Sequence, residues 1–530
     1  MTDTRPWTEK NIDSMLSLAA EGGGMDAVVV VTGSAVQEAF WQARLEAGRG
    51  QICGPDALVL AVEEDWPGGA GNGLGTLYAL SKADAKARAL YGVGLLDELG
   101  THRAVALYHT AGKGQRLAPL PGSESNNKPA VKLPGALDIG GRLTPITVLE
   151  AAIRQTAIYA PSRRGRLSVF WGDQIFIPDL PVAYAASHHV DILCSLRGMP
   201  TRAQWAAEGM DRYGLIAVRA DGEASQVEKI DYDMAERLIR SEVIGVEGGI
   251  GVSYGSFSMS SALTQALLTE FAPELRAKSG KLDTDPHFWM PLTLDARTYC
   301  ATMAGKGVPE TKAVAHYGRM ERVKNGLPRS DGCLGLFGAV DVGRTAWWWD
   351  YGVLGGYVAN NRLMLEGHAE ARGLRRFLGA AARETNACGP ALQLDSESVL
   401  VNCTITSGTI QRSVLVDVIA DSVCAQDSVI VACGAPSIRA EGALLYNVCK
   451  RESVSAGQGE VQAGVCLPPG RFLTLHTRLD RNGREDWETC LTGNALSYAE
   501  LHQQNASVDP AAAAAMAEGI RNASCPQNDG

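Results

Sequence analysis

The chain has 530 residues, of which 45% are hydrophobic and 20% charged, the composition of a globular protein too long for one ordinary domain. Lys and Arg number 49 against 59 Asp and Glu, a formal net charge of −10, which argues against a nucleic-acid scaffold or an anionic membrane face but permits a local basic pocket. No apolar run approaches the roughly 18–20 residues of a membrane span, the N-terminus lacks a signal-peptide pattern, and 12 scattered Cys without a Cys-x-x-Cys pair predict reduced thiols in a cytoplasmic protein.

In chain order, "DAVVVVTG" (Asp26–Gly33) reads as a buried strand. The helix after it starts at Ser34 as N-cap and stops at Gly48. "ALVLAVEE" (Ala57–Glu64) is a second strand, and "GGAGNGLGTLYAL" (Gly68–Leu80) is a glycine-rich loop opening a helix. "AVALY" is a third strand. It runs into "HTAGKGQRLAPLPGSESNNKPAVKLPG" (His109–Gly135), which gathers Gly112, Gly114, Arg116, Lys128 and Lys132 with little negative charge. Amides freed by glycine at a strand end form a cradle for phosphate oxygens, and Arg adds a planar fork suited to them. "RLSVFWGDQIFIP" (Arg166–Pro178) and "VDILCSL" (Val190–Leu196) are further strands, with a helix over "TPITVLEAAIRQTAIYA" before them. Alternating β and α units predict a mostly parallel, Rossmann-like sheet with helices on both faces and a ligand at the carboxyl ends of its strands.

After about residue 390 the helix signal disappears. Short Val/Ile/Leu clusters recur about every six residues between Ser, Gly, Asp and Ala, a pattern that predicts a hexapeptide-like β-helix over residues 386–490, with a run of short antiparallel strands as the alternative. Residues 491–530 read as a helix from Pro510 and a disordered tail. "KLDTDPHFWMPLTLDARTY" (Lys281–Tyr299) carries Asp283, Asp285 and His287, yet reads better as a loop and strand start, with Trp289 and Met290 packing, than as a metal cluster.

"GKGQRLAPL…NKPAVKLP" resembles the signature of the sugar-1-phosphate nucleotidyltransferases, G-x-G-[TS]-R-[LM]-x-P-L followed by P-K-P-x-x-P. Gly112, Gly114, Arg116, Leu117, Pro119, Leu120, Lys128 and Pro129 match; Gln115, Asn127 and Lys132 depart from it. Three further elements follow in the family's order: Asp173 in "VFWGDQIF", Gly214 with Glu228 and Lys229 in "YGLIAVRADGEASQVEK", and Asp350 in "WWWDYGVLGGYVAN". The arrangement before the signature, with Gly71, Gly73, Gly75, Thr76 and Leu77 ahead of His109, resembles the fucose-1-phosphate guanylyltransferase branch.

The resemblance implies a catalytic domain over residues 1–385 with a sugar-binding subdomain near 200–335, and transfer of a nucleotidyl group from an NTP to a hexose 1-phosphate. It implies Arg116 and Lys128 as catalytic cations, and Gly71, Gly73, Gly75, Thr76, Gly112, Gly114 and Gln115 around the nucleotide. Lys132, Gly214, Glu228 and Lys229 would hold the sugar phosphate, and Asp173 and Asp350 would hold Mg²⁺. Self-association through the β-helix is a further expectation. The resemblance also implies that the β-helix is left-handed. The alternatives are a catalytically silent relative, a regulatory or assembly subunit that binds nucleotide or sugar phosphate, and an acyltransferase built on the β-helix. The stretch 396–449 contains no His, which counts against the latter.

Overall fold

The computed structural model describes residues 4–110, 112–328, 334–380, 385–467 and 469–524. The strands of the first part are β1 (Ala27–Thr32), β2 (Leu58–Glu63), β3 (Ala104–His109), β4 (Lys132–Asp138), β5 (Leu143–Thr147), β6 (Arg166–Trp171) and β7 (Gln174–Ile177). They continue with β8 (His188–Arg197), β9 (Gly214–Val218), β10 (Ala224–Glu228), β11 (Gly249–Ser260), β12 (Gly335–Asp341) and β13 (Trp347–Asp350).

Nine of these form one sheet, in which β2, β1, β3 and β6 run parallel side by side and β12 runs parallel to β8. Every position of β1 is buried, as expected of a strand covered on both faces. Val28 and Val30 enter one core with Ile12, Trp41 and Leu45, while Val29 and Val31 enter a second with Leu74, Leu77, Leu263 and Leu267. Alternate side chains of one apolar strand thus hold helices on both sides of the sheet. The expected mixed α/β architecture is present.

β11 carries the departure from parallel order. It pairs antiparallel with β9 over residues 249–252 and with β6 over 257–260, with an irregularity between Ser253 and Phe257. The end of β6 and the start of β9 therefore meet along it. Residues between 205 and 313 have a core of their own, including Trp205, Met210, Leu215, Ala235, Met290 and Tyr299.

Strands β14 (Ala387–Leu394) to β23 (Glu460–Leu467) form two stacked, parallel ladders closed by the antiparallel β24 (Arg471–Arg478). The repeat is fifteen residues and not the expected six: Val399 pairs Val414, Val414 pairs Val429, and Val429 pairs Leu444. Each coil has one three-residue and one eight-residue strand, so the six-residue reading had split a longer unit. A serine ladder fixes the stacking. Ser413 N–H donates to Ser398 Oγ at 3.1 Å, Ser428 N–H to Ser413 Oγ at 3.1 Å, and Ala443 N–H to Ser428 Oγ at 3.2 Å. Leu400, Leu415, Ile430 and Leu445 fill the interior, whereas Val399, Val414, Val429 and Leu444 join the core of the first part. One face of this solenoid is therefore spent inside the chain.

Two helices, Tyr498–Asn505 and Pro510–Ala523, then return to the first part of the molecule. The tail expected beyond them lies, from residue 525 on, outside the described residues. Among the described residues no helix is long and apolar enough to cross a membrane.

Candidate active site

Two acidic residues far apart in sequence meet at Gly352. A Cβ built on that glycine would lie 3.0 Å from Asp350 Oδ1, 3.2 Å from Asp173 Oδ2 and 3.9 Å from Arg116 Nη2. Backbone pairing causes this convergence. Asp173 follows β6, β7 turns back after it, and β13 pairs antiparallel with β7 so that Asp350 stands opposite Gln174. Gly352 N–H donates to Asp350 Oδ1 at 2.7 Å and holds that carboxylate in place.

Lys128 donates to Asp173 Oδ2 at 2.5 Å, both side chains being mostly buried. Beside this pair is an open cleft of about 240 Å³ lined by Lys113, Gly114, Gln115, Arg116, Lys128, Gly352 and Arg484. Among the described residues Lys113, Arg116 and Arg484 make no ion pair, so the cleft carries excess positive charge and suits an anion. Gly112, at φ +124°, has open space where a side chain would go, and its neighbour Ala111 lies outside the described residues.

The earlier glycine loop is built differently. Gly73 N–H and Leu74 N–H both donate to Leu282 O, at 2.8 and 3.3 Å, and Asn72 N–H donates to Asp283 Oδ1 at 3.1 Å. A Cβ on Gly71 (φ +73°) would stand 2.5 Å from Leu282 O. The amides that open the helix Gly71–Tyr91 are thus occupied by the chain's own segment 282–284, and these glycines permit that approach. Gly75 faces Glu64, whose carboxyl is pushed up by burial, and Thr76 hydrogen-bonds His109 Nε2 at 2.8 Å. Burial lowers His109 to about 4, so it is neutral at pH 7.

Gly214, Glu228 and Lys229 form a second group where β9 starts and β10 ends. A Cβ on Gly214 would be 2.9 Å from Glu228 Oε2 and 3.7 Å from Asp285 Oδ2. Lys229 Nζ is 2.9 Å from Glu228 Oε1. Burial, and then the Glu228 charge, raise Asp285 to about 6. Glu228 Oε2 and both polar side-chain atoms of the fully buried Gln226 have no hydrogen-bond partner. This group of buried, unpartnered polar atoms has hydrogen-bonding capacity of the kind that hydroxyl groups satisfy. Asp285 was not singled out for it by its spacing; with Asp283 and His287 it read as a loop and strand start, whereas Asp285–Trp289 and Met290–Thr293 are helical and bury Phe288, Trp289 and Met290. No metal-binding cluster of three such groups occurs among the described residues.

Lys132 lies elsewhere. It pairs with Glu124, its N–H donates to Tyr446 Oη at 2.9 Å, and it lines a cavity under the helix Pro510–Ala523. Sequence reasoning also missed Arg484, one of two arginines in a polar turn, for which packing was the only signal.

No family model and no curated protein matches the chain. A structure of HddC from Yersinia pseudotuberculosis complexed with GMP-PN aligns at 14% identity over 63% of this chain and 97% of that one, with a TM-score of 0.19. A second structure of HddC from Yersinia pseudotuberculosis aligns at 14% identity over the same shares, with a TM-score of 0.20. At so low a TM-score the likeness is weak and carries no argument about the site.

Proposed function

We propose that this chain is a sugar-1-phosphate nucleotidyltransferase: NTP plus hexose 1-phosphate gives NDP-sugar plus pyrophosphate. The observation that carries the reading is the meeting of Asp173, Asp350 and Arg116 around Gly352, at the edge of a cation-lined cleft. A sugar phosphate oxygen forms a new bond to the α-phosphorus while the bond to the pyrophosphate oxygen breaks. That nucleophile is already ionised at neutral pH and needs no general base. The obstacle is repulsion between two anions, so the protein's task is charge neutralisation and in-line positioning.

Arg116, on the loop after β3, would hold the triphosphate with its planar fork. Lys128 would place a point charge between the two phosphates. Asp173 and Asp350 supply hard oxygen donors aimed at one point, a set that fits Mg²⁺. Bound there, Mg²⁺ would offset phosphate charge during transfer. Glu228, Gln226 and Asp285 would receive sugar hydroxyls, with Lys229 near the sugar phosphate. The order of the N-terminal elements makes GTP and fucose 1-phosphate the first pair to test.

A second reading, a silent relative that binds nucleotide without turning it over, is favoured by the Lys128–Asp173 ion pair, since the ammonium sits on an oxygen that a metal would use. Pyrophosphate release over a panel of triphosphates and sugar 1-phosphates, with and without Mg²⁺, separates the two. The proposed activity requires release dependent on both substrates. Thermal stabilisation by a triphosphate with no release from any pair would instead establish the silent relative.

A further inference from the structure

The cation-lined cleft has one wall that the strand-end loops do not supply. Arg484 belongs to the segment after β24, at the far end of the chain, and lines the cleft with Arg116 and Lys128. Gly483 lies so close to the phosphate loop that a Cβ there would be 2.5 Å from Gln115 O and 2.9 Å from Ala118 Cβ. Trp487 is 8% exposed, packs in one cluster with Ala118 and Leu501, and has Lys113 Nζ 6.0 Å from its ring centre. Two hydrogen bonds complete the attachment: Asn126 Nδ2 donates to His502 O at 2.7 Å, and Asn505 Nδ2 donates to Gly122 O at 2.8 Å.

The turn also ties back two of its own carboxylates. Asp486 is taken by Arg481 in a two-pronged pair at 2.5 and 2.7 Å, and Glu485 accepts from Asn482 Nδ2 at 2.8 Å. Arg484 N–H donates to Asn482 Oδ1 at 3.1 Å, which fixes the backbone while the guanidinium makes no ion pair among the described residues. Among the described residues Lys113, Arg116 and Arg484 thus line one small volume without ion-pair partners, and no carboxylate lines it, while Asp173 and Asp350 stand at its edge with Lys128. An anion of several charges relieves that mutual repulsion better than a monophosphate does.

We infer that residues 480–494 complete the phosphate site in cis, and that Arg484 binds the pyrophosphate part of a nucleoside triphosphate. This rests on the function proposed above for the identity of the ligand, and adds to it a residue and a segment outside both the loop signature and the sheet. The segment does two jobs: it buttresses the loop that carries Arg116, and it brings a fourth cation to the opening of the cleft.

Inorganic pyrophosphate titrated into the full-length protein, followed by calorimetry, tests the inference apart from turnover. Wild type binds, Arg484→Ala binds about tenfold or more weakly, and Arg484→Lys falls between them, because a lost charged hydrogen bond is worth about one decade or more. Arg451→Ala, an exposed change of equal charge, leaves binding unaltered. The thermal midpoint of Arg484→Ala stays at the wild-type value because the side chain is exposed. Wild-type affinity in Arg484→Ala overturns the inference and leaves the proposed function standing. Absence of pyrophosphate binding by wild type overturns the anion cleft, and this inference with it.

Discussion

Two glycine-rich loops follow parallel strands in this molecule, one after β2 and one after β3, and they end in opposite states. In the first, the amides around Gly71 and Gly73 are bonded by Leu282 and Asp283 of the same chain. In the second, Gly112 faces open space, and unpaired cations surround a cleft. Both use the same property of glycine, the absence of a Cβ, but one admits the protein's own backbone and the other leaves room for a ligand. A glycine-rich loop alone therefore does not mark a phosphate site. What decides is whether a remote segment has already taken its donors.

The strongest way to break this comparison is to remove charge from the open loop. Arg116→Ala, Asp173→Asn and Asp350→Asn should each lower the rate of pyrophosphate release by about 100-fold or more, as expected for charges that act on the transition state. Lys128→Ala should do the same, and should also lower stability by up to about 3 kcal/mol, because it leaves the mostly buried Asp173 carboxylate without its partner. Full activity in Arg116→Ala or Asp350→Asn would remove the open loop from the chemistry.

The sealed loop should respond in stability instead. Gly71→Ala combines a positive φ with a Cβ 2.5 Å from a backbone oxygen, and should cost about 3 kcal/mol in denaturant unfolding. Gly69→Ala, also at positive φ but with nothing within 4 Å, should cost only about 1 kcal/mol. Equal costs would mean that segment 282–284 does not press on the loop.

These two loops also show how far the sequence could be read. The β–α alternation was legible in apolar runs such as "DAVVVVTG", whereas Asp350 was reached only through the resemblance of "WWWDYG" to a family element; pairing of β7 with β13 is what brings it to Asp173, at the end of "VFWGD". The sealing of Gly71 was not legible, because it depends on Leu282, more than two hundred residues away and carrying no motif. Lys132 looked like part of the phosphate loop because it follows Lys128 closely, but β4 carries it toward Tyr446 on the solenoid. Arg484 sits in "DRNGRED", which reads as a solvated turn until Gly483 is seen against Gln115. The fifteen-residue coil was hidden because three-residue strands such as Val414–Val416 are too short to separate by pattern from the small-residue stretches beside them.

Segment 282–285 also links the sealed loop to the group around Glu228, and pH can resolve that link. Asp285 titrates near about 6 in the folded chain, mainly through burial, against about 3.9 when unfolded. Between those values the folded state holds the extra proton. Stability should therefore fall as pH rises from about 4 to about 6, by up to about 3 kcal/mol from this group. Asp285→Asn should flatten that part of the profile of unfolding free energy against pH; an unchanged slope would place the carboxyl in water.

A smaller effect tests the second turn of the sealed helix. Thr76 Oγ1 donates to Asn72 O at 2.7 Å, so its contact with His109 Nε2 at 2.8 Å has the ring as donor. Thr76→Val removes the acceptor of a buried N–H and should cost about 1–2 kcal/mol. Because burial holds His109 at about 4, that N–H belongs to a neutral ring, and the cost should stay constant from pH 7 upward. Below the unfolded value of about 6.5 the unfolded chain takes up a proton that the folded ring refuses, so this site destabilises both proteins as pH falls toward about 4. Pyrophosphate affinity in Thr76→Val should match wild type, since the hydroxyl is turned inward to Asn72 and His109. A tenfold loss of affinity without a fall in stability would make the first loop a ligand cradle after all, and would erase the distinction between the two.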